Sequence, residues 1–444
     1  MNLFTQLQAR AERPVRVAMI GAGKFGSMFL SQARRLPGIH VVAIADLHVA
    51  NARSNLELVG WERERFGAAD LDATRDGSTF VTDDWRAAVE SDVDVVVECT
   101  GHPGAAVEHI LAAFAAGRDV VNVTVEADAL CGPALARRAA EAGVVYSMAY
   151  GDQPALVCDL VDWARTCGFT VTAAGRGHKW MPHYRASTPD TIWDHWGLSR
   201  EQAERGRLNP KMFNAFLDGS KPAIECAAIA NSALLDVPAQ GLAYPSGSID
   251  DLPTLMRPRE EGGVLERKGL VEVVSSMTEA GEEIPRDIRK GVWVVFEAET
   301  DYQRHCLEEY KVATDPSGRY ASLEKRWHLI GLELPVSIAA VACRGEATGV
   351  AREWRGDAVA VAKRDLGRGE VLDGEGGYTV AGELRPAATS VAEGLLPLGL
   401  AHDATLLHDV PDGQPLRWSD VRMDETGAAL RLRREMAAPV AEAA

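Results

Sequence analysis

The chain has 444 residues and a formal net charge of −17, and its hydrophobic fraction of 46% and charged fraction of 25% are ordinary for a globular protein. This length exceeds one ordinary domain and predicts two or three. The acidity argues against nucleic acid and anionic membranes as partners, because no basic stretch offsets the repulsion, and leaves a small-molecule substrate as the partner to expect.

The sequence favours an intracellular protein. No apolar run reaches the ~20 residues that a membrane span needs, and residues 1–13 lack the apolar core and cleavage site of a signal peptide. The seven cysteines are odd in number and scattered, without a CxxC pair. That usage favours reduced thiols over a disulfide framework or a zinc site. We therefore expect a cytoplasmic location.

The first third of the chain alternates strands and helices. Apolar runs predict strands at residues 15–20, 39–45, 93–97, 119–123 and 144–148, and stretches of helical periodicity separate them. Such alternation is typical of βαβ units around a parallel sheet. We predict an α/β protein whose residues 1–155 form a Rossmann, doubly wound dinucleotide-binding domain.

The pattern changes after this domain. Strands are predicted at residues 169–174, 270–277 and 292–299 and one long helix at 221–235, which indicates an α+β substrate and dimerisation domain over 156–348. From residue 349 short strands alternate with Gly- and Pro-rich turns, which predicts a small β domain and tail over 349–444. We expect a homodimer or a higher homo-oligomer.

A glycine-rich motif follows the first predicted strand. Residues 21–26 read GAGKFG, the pattern G-x-G-x-x-G, and the motif opens a predicted helix. In such a turn the first glycine allows the tight bend, the second lets the backbone approach a pyrophosphate, and the third lets helix and strand pack closely. The free N–H groups at the helix start favour phosphate. We assign cofactor binding to Gly21, Gly23, Lys24, Phe25 and Gly26.

The form of the dinucleotide stays open. Asp46 ends the next strand, about 20 residues on, and would accept hydrogen bonds from the adenosine ribose, which favours NAD over NADP. Arg53 follows a few residues later and is either a solvated helix residue or a partner for a 2′-phosphate. We therefore predict NAD(P)(H) without choosing the form.

Polar residues follow three later strands. Thr100 and Gly101 come after one strand, Thr124 after the next, and Asp152 marks the passage to the second domain. Ligands in doubly wound sheets lie beyond the carboxyl ends of the strands. These residues are predicted to line the nicotinamide end; the alternative is that they are ordinary strand-to-helix caps.

The second domain carries clustered cations. Its loop at residues 177–185 contains four of them, and Lys or Arg here can clamp a phosphate or carboxylate. The alternative is a solvated basic loop, against which the interleaved Trp180, Met181 and Tyr184 argue. The predicted substrate-binding residues are His178, Lys179, His183, Arg185, Asn209, Lys211 and Asn214.

Lys221 is predicted to act as the proton donor or carbonyl polariser. It lies one helical turn before Glu225, so the two share a face; a surface ion pair is the alternative. With Lys179 and Asp152 they form the predicted catalytic group. Asp152, Glu126 and Glu225 could also hold a divalent cation through oxygen ligands, but their spacing does not demonstrate a metal site.

Several motifs resemble a known family. The stretches GAGKFG, ECTG, NVTVEAD, YGDQPA and LDGSKPAIECAAIAN are similar to homoserine-dehydrogenase-like oxidoreductases with a C-terminal SAF domain, among them the deoxyxylulose-phosphate-reductoisomerase-like proteins. The stretches VAKRDLGRGEVL and DGQPLRWSDV resemble the two halves of the SAF module, a small β-clip unit. Lys221 matches a lysine of the family motif.

This resemblance implies an activity. In its best-known form 1-deoxyxylulose 5-phosphate is converted to 2-C-methylerythritol 4-phosphate with NADPH, a step of isoprenoid biosynthesis. The sequence departs from true homoserine dehydrogenases, because residues 124–127 read TVEA where those enzymes carry a lysine motif. That departure argues against plain homoserine oxidation.

Together these features predict an NAD(P)-dependent oxidoreductase that acts on a carbonyl or alcohol of a small, polar, anionic substrate. The alternatives are a homoserine-type, polyol or hydroxy-acid dehydrogenase and, from another class, a regulatory protein that senses a dinucleotide without turnover. Convergence of Lys179, Lys221 and Asn214 on the nicotinamide would favour turnover, and their scatter over the surface would favour sensing.

Overall fold

The structure, a computed structural model, describes residues 2–205 and 208–443. The chain divides into two compact units, one of Met1–Leu156 with His328–Ala351 and one of Val157–Trp327 with Arg352–Ala444. This division differs from the three predicted regions in two ways. Residues 328–351 join the Rossmann unit, and residues 352–444 belong to the same unit as the second predicted domain.

The elements in chain order, beginning with the Rossmann unit, are α1 Leu3–Gln8, β1 Val15–Ile20, α2 Lys24–Ala33, β2 Ile39–Ala45, α3 Val49–Leu58, β3 Phe80–Thr82, α4 Trp85–Glu90, β4 Val95–Glu98, α5 Pro103–Ala115, β5 Asp119–Asn122, α6 Val125–Ala142 and β6 Tyr146–Met148. The chain continues with α7 Gln153–Thr166, β7 Thr170–His178, α8 Ile192–Trp196, α9 Arg200–Arg205, α10 Pro210–Leu217, α11 Ser220–Ala233, α12 Leu252–Leu255, β8 Leu270–Ser275, β9 Val292–Glu297, α13 Asp301–Glu309, β10 Tyr320–Lys325 and α14 Leu334–Arg344. It ends with β11 Gly356–Ala362, β12 Val371–Asp373, β13 Val380–Pro386, α15 Ala387–Glu393, β14 His402–Leu406, β15 Val421–Arg422 and α16 Ala428–Ala443.

Six parallel strands form the sheet of the first unit, in the order β3-β2-β1-β4-β5-β6. This is the strand order of a dinucleotide-binding Rossmann domain, and it confirms the predicted α/β fold. β1 and β4 are rich in β-branched apolar residues and almost wholly buried, as is typical of central parallel strands covered on both faces. The strand order reverses between β1 and β4, so the crevice for a ligand lies beyond the carboxyl ends of these two strands.

Helix α14 completes this unit although it lies far along the chain. Leu334, Ile338 and Val341 recur at helical spacing and are buried in the Rossmann core with residues of β1, β2 and β4. An apolar stripe of this kind must be covered by another element. The spacing predicts the stripe, but it does not specify which sheet will cover it.

The second unit contains a mixed sheet in the order β10-β9-β7-β8, with β7 parallel to β8 and antiparallel to β9. Helix α11 packs against β8 and also against β11 and β13 of the C-terminal region. Every residue of α11 except Lys221 is buried. A helix that is apolar all round needs cover on every side, which explains why residues 352–444 share this unit.

The C-terminal region contains the strands that the sequence predicted, together with the helices α15 and α16. β11 and β13 form a two-stranded antiparallel sheet, and β12, β14 and β15 form a three-stranded one. None of the described helices combines the length and apolarity needed to cross a membrane.

Candidate functional site

The three glycines of the turn after β1 have distinct surroundings. Gly21 has a φ of +94°, and a Cβ there would lie 2.6 Å from the Cys99 carbonyl oxygen. A Cβ at Gly26 would lie 2.8 Å from the Gly21 carbonyl oxygen, so both positions require glycine for reasons of backbone packing. Gly23 is exposed, and a Cβ there would meet no atom within 4 Å. Packing therefore does not explain Gly23, whereas the approach of a ligand to its backbone does.

Helix α2 begins at Lys24 directly after Gly23, which is its N-cap. Lys24 is exposed, and Phe25 is partly buried against the Rossmann core. The open glycine and the free N–H groups of a helix start together fit a dinucleotide pyrophosphate.

Asp46 lies where the adenosine ribose of such a cofactor is expected. One carboxylate oxygen accepts the Ala22 N–H at 2.8 Å, and the other accepts the His48 N–H at 2.8 Å. These bonds hold the carboxylate beside the glycine turn. The neighbouring Leu47 is 85% exposed, an apolar surface at the adenosine end that the sequence analysis did not single out.

Arg53 is oriented toward the protein. Its guanidinium donates to the Phe66 carbonyl oxygen at 3.1 Å and lies 5.9 Å from the Phe66 ring centroid. The neighbouring Asn55 amide donates to the Ala22 carbonyl oxygen at 2.9 Å and so helps to fix the glycine turn.

The polar residues after β4 and β5 meet at the buried carboxylate of Glu98. Thr100 Oγ1 donates to Glu98 Oε1 at 2.5 Å, and the hydroxyl of Thr124 donates to Glu98 Oε2. The Gly101 N–H donates to Thr124 Oγ1 at 2.9 Å, and His109 Nδ1 lies 3.3 Å from Glu98 Oε1. The predicted residues Thr100, Gly101 and Thr124 are thus brought together at the carboxyl edge of the sheet.

A second buried network lies beside the first. Tyr146 Oη donates to Asp128 at 2.8 Å, and the Asn122 amide donates to the other oxygen of Asp128 at 2.7 Å. The pKa of Asp128 is raised to about 7, mainly by burial and to a smaller extent by the charges of Asp152 and Glu126, against the lowering effect of the bonds from Tyr146 and Asn122. Asp152, a predicted catalytic residue, is itself only 6% exposed.

The second unit has a carboxyl edge of its own. Because β7 and β8 are parallel and β9 is antiparallel to β7, the residues after β7, after β8 and before β9 meet there. The Ser276 N–H donates to the His178 carbonyl oxygen at 2.7 Å, and Ser275 Oγ donates to the Trp180 carbonyl oxygen at 2.8 Å. Arg289 Nε donates to Ser276 Oγ at 2.9 Å.

This edge carries two cations and two histidines, here together called the cationic edge and defined as Lys179, His183, His195 and Arg289. Lys179 Nζ donates to the His195 carbonyl oxygen at 2.8 Å, and the His183 and His195 ring centroids are 5.8 Å apart. Burial lowers the pKa of Lys179, and the positive charge of Arg289 lowers it further. Glu283 is the carboxylate that pairs with Arg289, at 2.9 Å, and it is 64% exposed.

His178 lies behind this edge rather than on it. Its Nε2 donates to the Phe216 carbonyl oxygen at 2.5 Å, and Arg176 lies 3.5 Å from its Nδ1. Burial and the nearby guanidinium of Arg176 hold the pKa of His178 well below its usual value, so the ring is neutral at pH 7.

Four other predicted substrate residues have partners within the protein. Arg185 pairs with Glu383 at 3.3 Å, and the ammonium of Lys211 donates to the Asp373 carbonyl oxygen. Asn209 caps α10 by accepting the N–H groups of Lys211 and Met212, and the buried amide of Asn214 bonds Ser187 and the Gly376 carbonyl oxygen. These contacts give all four side chains a structural role within the protein.

Lys221 is partly exposed at the start of α11, after a left-handed Gly219 with a φ of +93°. The buried carboxylate of Glu225 forms an ion pair with the equally buried guanidinium of Arg176, which lies on β7. Arg176 was not foreseen, because nothing local in the sequence connects β7 with α11.

The described side chains do not form a metal site. Within residues 2–205 and 208–443, no group of three His, Cys, Asp or Glu side chains could hold a metal ion. The divalent cation allowed for by the sequence analysis is therefore not supported.

Comparison with known families agrees with this geometry. Residues 21–148 match the family model described as the NAD-binding domain of homoserine dehydrogenase. Residues 151–334 match the model described as the catalytic domain of oxidoreductase DRL. Both matched models describe domains of oxidoreductases, and together they support assignment of the chain as an NAD(P)-dependent oxidoreductase. Neither family match extends beyond residue 334, so the SAF-like character of this oxidoreductase's C-terminal region stays a prediction.

Solved structures are similar to the oxidoreductase only at a distance, and no curated protein matches it. An oxidoreductase domain protein from Kribbella flavida is 22% identical over 40% of this chain and 44% of its own, with a TM-score of 0.28. A probable dehydrogenase from Thermotoga maritima is 15% identical over 76% and 91%, with a TM-score of 0.38. The 1-deoxy-D-xylulose 5-phosphate reductoisomerase from Zymomonas mobilis, in complex with NADPH, is 16% identical over 48% and 57%, with a TM-score of 0.31. The chain thus spans less than half the length of the first of these structures.

Proposed function

We propose that the protein transfers a hydride between NAD(P)(H) and the carbonyl or alcohol carbon of a small anionic substrate, whose anionic group binds at the cationic edge. The observation that carries this proposal is that the pairing of β7 with β8 and β9 brings Lys179 and Arg289 to the same edge, where both are partly buried. Burial lowers the pKa of Lys179, and the positive charge of Arg289 lowers it further, because two nearby cations repel each other. A bound anion relieves that repulsion.

Glu283 pairs with Arg289 but is largely exposed, so water screens the pair and a ligand can displace it at little cost. Arg289 Nε is fixed by Ser276, which orients the guanidinium. An oriented guanidinium favours a phosphate or carboxylate, since its N–H groups match two oxygens at once.

Bound NAD(P)(H) supplies or accepts the hydride, and the side chains of this chain bind the substrate and handle its proton. We assign to Lys221 the transfer of a proton to or from the substrate oxygen, because Lys221 is the one residue of α11 that is not buried. An ammonium can polarise a carbonyl or donate a proton to a developing alkoxide. Lys179 and Arg289 would hold the anionic end and so orient the reacting carbon.

Among anionic substrates we favour a sugar phosphate, because 1-deoxyxylulose 5-phosphate is the candidate suggested by the sequence resemblance. Homoserine-type, polyol and hydroxy-acid substrates are the alternatives. They differ from a sugar phosphate in charge: a polyol carries no anion for the cationic edge, whereas a hydroxy acid carries a carboxylate.

The experiment is a turnover screen of the purified protein with sugar phosphates, hydroxy acids and polyols, using NADH, NADPH and their oxidised forms. For the compound that reacts, Lys179→Met and Arg289→Met are expected to raise KM about 10–100-fold, the loss typical of a hydrogen bond to a charged group. Arg286→Met is the matched control, because Arg286 is three residues away and pairs with exposed Asp250.

The proposal predicts that an uncharged analogue of the substrate, lacking its phosphate or carboxylate, is insensitive to Arg289→Met. Equal KM values for Arg289→Met and Arg286→Met would show that the cationic edge does not bind the substrate. Binding of the dinucleotides without turnover of any compound would instead identify a dinucleotide sensor, the rival class, and would contradict the proposal.

A further inference from the structure

The buried carboxylate of Asp128 is linked by hydrogen bonds to the residues that follow β4 and β5. We propose that Asp128 is a positioning residue that acts through Asn122 on Thr124 and Gly101, and so fixes the backbone that receives the nicotinamide half of the cofactor. The inference rests on the placement of the nicotinamide at this edge, and it goes beyond the substrate chemistry proposed above.

The first link is the side chain of Asn122, the last residue of β5. Its Nδ2 donates to Asp128 at 2.7 Å and to the Thr124 carbonyl oxygen at 2.9 Å, while its Oδ1 accepts the Thr124 N–H at 3.1 Å. Asn122 is 2% exposed. An amide side chain is free to flip in principle, but the ionised Asp128 carboxylate can only accept hydrogen bonds, so it bonds the NH2 group of the amide and selects one orientation. In that orientation both polar groups of the Thr124 backbone are held.

The second link is the hydroxyl of Thr124. It accepts the Gly101 N–H at 2.9 Å and donates its own proton to Glu98. Gly101 has a φ of +74°, a left-handed conformation, and is exposed at the edge of the sheet. The chain of bonds thus runs from the buried Asp128 on α6, through β5, to an exposed backbone segment after β4.

Tyr146 adds a third strand to the network. Its Oη donates to Asp128 at 2.8 Å and lies 3.2 Å from Asn122 Nδ2, whose two hydrogens already point to Asp128 and the Thr124 carbonyl oxygen. Asp128 thus joins the end of β5 to β6, and Thr124 joins β5 to the segment after β4. A fully connected polar network of this kind rigidifies what it touches, whereas a broken one leaves buried groups unsatisfied. A ligand that binds a preorganised segment avoids the cost of ordering it.

The charge of Asp128 changes near neutral pH. Burial, the bonds from Tyr146 and Asn122, which lower the pKa, and the charges of Asp152 and Glu126, which raise it, together bring the pKa of Asp128 to about 7. The ionised carboxylate accepts hydrogen bonds more strongly than the neutral acid. The network therefore tightens as the pH rises through about 7, and cofactor affinity should rise with it.

The test is a binding titration of the full chain with NADH, NADPH and ADP-ribose, followed by fluorescence or calorimetry between pH 5.5 and 8.5. ADP-ribose carries the adenosine and the pyrophosphate without the nicotinamide. At pH 8 we expect Asp128→Asn to weaken NADH or NADPH about 10-fold, the scale of one charged hydrogen bond, and to leave ADP-ribose unchanged. The variant should also lose the rise in affinity with pH.

Asp119→Asn is the matched control. Asp119 lies at the opposite end of β5, accepts the Val145 N–H at 2.8 Å, and also has a pKa raised by burial. Its loss should leave both the nicotinamide affinity and the pH profile as they are in the unmodified protein. Equal weakening of NADH and ADP-ribose by Asp128→Asn would show a merely structural role, and unchanged binding would overturn the proposal outright.

Tyr146→Phe tests the same network without removing the carboxylate, in case Asp128→Asn does not fold. The ring keeps its edge contact with Phe114, at 5.7 Å between centroids. Because the Tyr146 bond lowers the pKa of Asp128, its removal should move the midpoint of the pH profile upward. An unchanged midpoint of the pH profile would contradict the assignment of the pH dependence to Asp128. Thr124→Val tests the placement of the nicotinamide itself. Unchanged NADH affinity in that variant would show that the nicotinamide does not bind at this edge, whatever the role of the network.

Discussion

The ammonium of Lys363 lies 2.6 Å from the carboxylate of Asp218, and both side chains are almost completely buried. Lys363 Nζ also donates to the carbonyl oxygens of Ser187 and Gly377, at 2.9 and 2.8 Å. Asp218 accepts the Ser220 N–H at 2.9 Å, at the start of α11. The C-terminal region therefore supports the helix that carries Lys221, and it does so through a charge pair inside the second unit.

Lys363→Met is expected to destabilise the second unit by ~3–5 kcal/mol, because it leaves the Asp218 carboxylate buried without its cation. Urea unfolding followed by tryptophan fluorescence measures the loss. Arg267→Met is the control, since Arg267 pairs with Asp236 at the surface and should cost less than ~1 kcal/mol. Similar losses for the two variants would mean that the Lys363 pair is solvated and adds little to stability.

The glycine turn gives a second pair of variants with opposite expectations. Gly21→Ala places a Cβ 2.6 Å from the Cys99 carbonyl oxygen at a residue with a φ of +94°, so it should lower the stability of the Rossmann unit. Gly23→Ala meets no protein atom and should leave stability unchanged, but its methyl group would occupy the path of the pyrophosphate.

Thermal unfolding and NADH titration separate these two effects. Gly23→Ala should melt within ~1 °C of the unmodified protein and still bind NADH at least ~10-fold more weakly, as expected when about 1.4 kcal/mol of binding is lost. Normal affinity in a stably folded Gly23→Ala protein would place the dinucleotide elsewhere.

Asp46 should decide the form of the cofactor. Its carboxylate is held beside the turn by the Ala22 and His48 N–H groups, where it can accept from a ribose hydroxyl and would repel a 2′-phosphate. Asp46→Ala is therefore expected to weaken NADH more than NADPH in parallel titrations. Arg53→Met is the control and should leave the ratio of the two affinities unchanged, because Arg53 bonds the Phe66 carbonyl oxygen. Equal losses of both forms in Asp46→Ala would exclude a direct ribose contact.

Most of the Rossmann unit could be predicted from the sequence, since its signals are local. The run at Val15–Ile20 is β-branched and apolar, a glycine motif follows it, and Asp46 ends the next strand; the observed β1, α2 and β2 follow from these three features. The position of α14 could not be predicted in the same way. Its apolar stripe shows only that something must cover it.

The candidate substrate site shows the same limit. Lys179 stands out in its loop as one of several cations, but Arg289 lies far along the chain, and only the pairing of β7 with β8 and β9 brings the two together. Conversely, Arg185 and Lys211 cannot be distinguished from Lys179 in the sequence. In the structure, however, Arg185 forms an ion pair with Glu383, and Lys211 donates to the Asp373 carbonyl oxygen. The sequence indicates which residues carry charge, whereas tertiary pairing determines which of those charges the protein itself satisfies.

The last prediction concerns Lys221. In α11 it is the single residue that is not buried, and the helix around it is fixed on one side by the Glu225–Arg176 pair and at its start by Asp218 and Lys363. Lys221→Met should therefore keep the fold and the affinity for NADH, yet lose ~10²–10⁴-fold in turnover, the usual contribution of one acid–base group. Lys221→Arg should not restore turnover, because a guanidinium does not release its proton. Lys311→Met, at an exposed lysine of the same unit, is the control and should react normally. Turnover of Lys221→Met within a few-fold of the control would reduce Lys221 to a structural cation, and the proton would then have to come from Lys179 or His183.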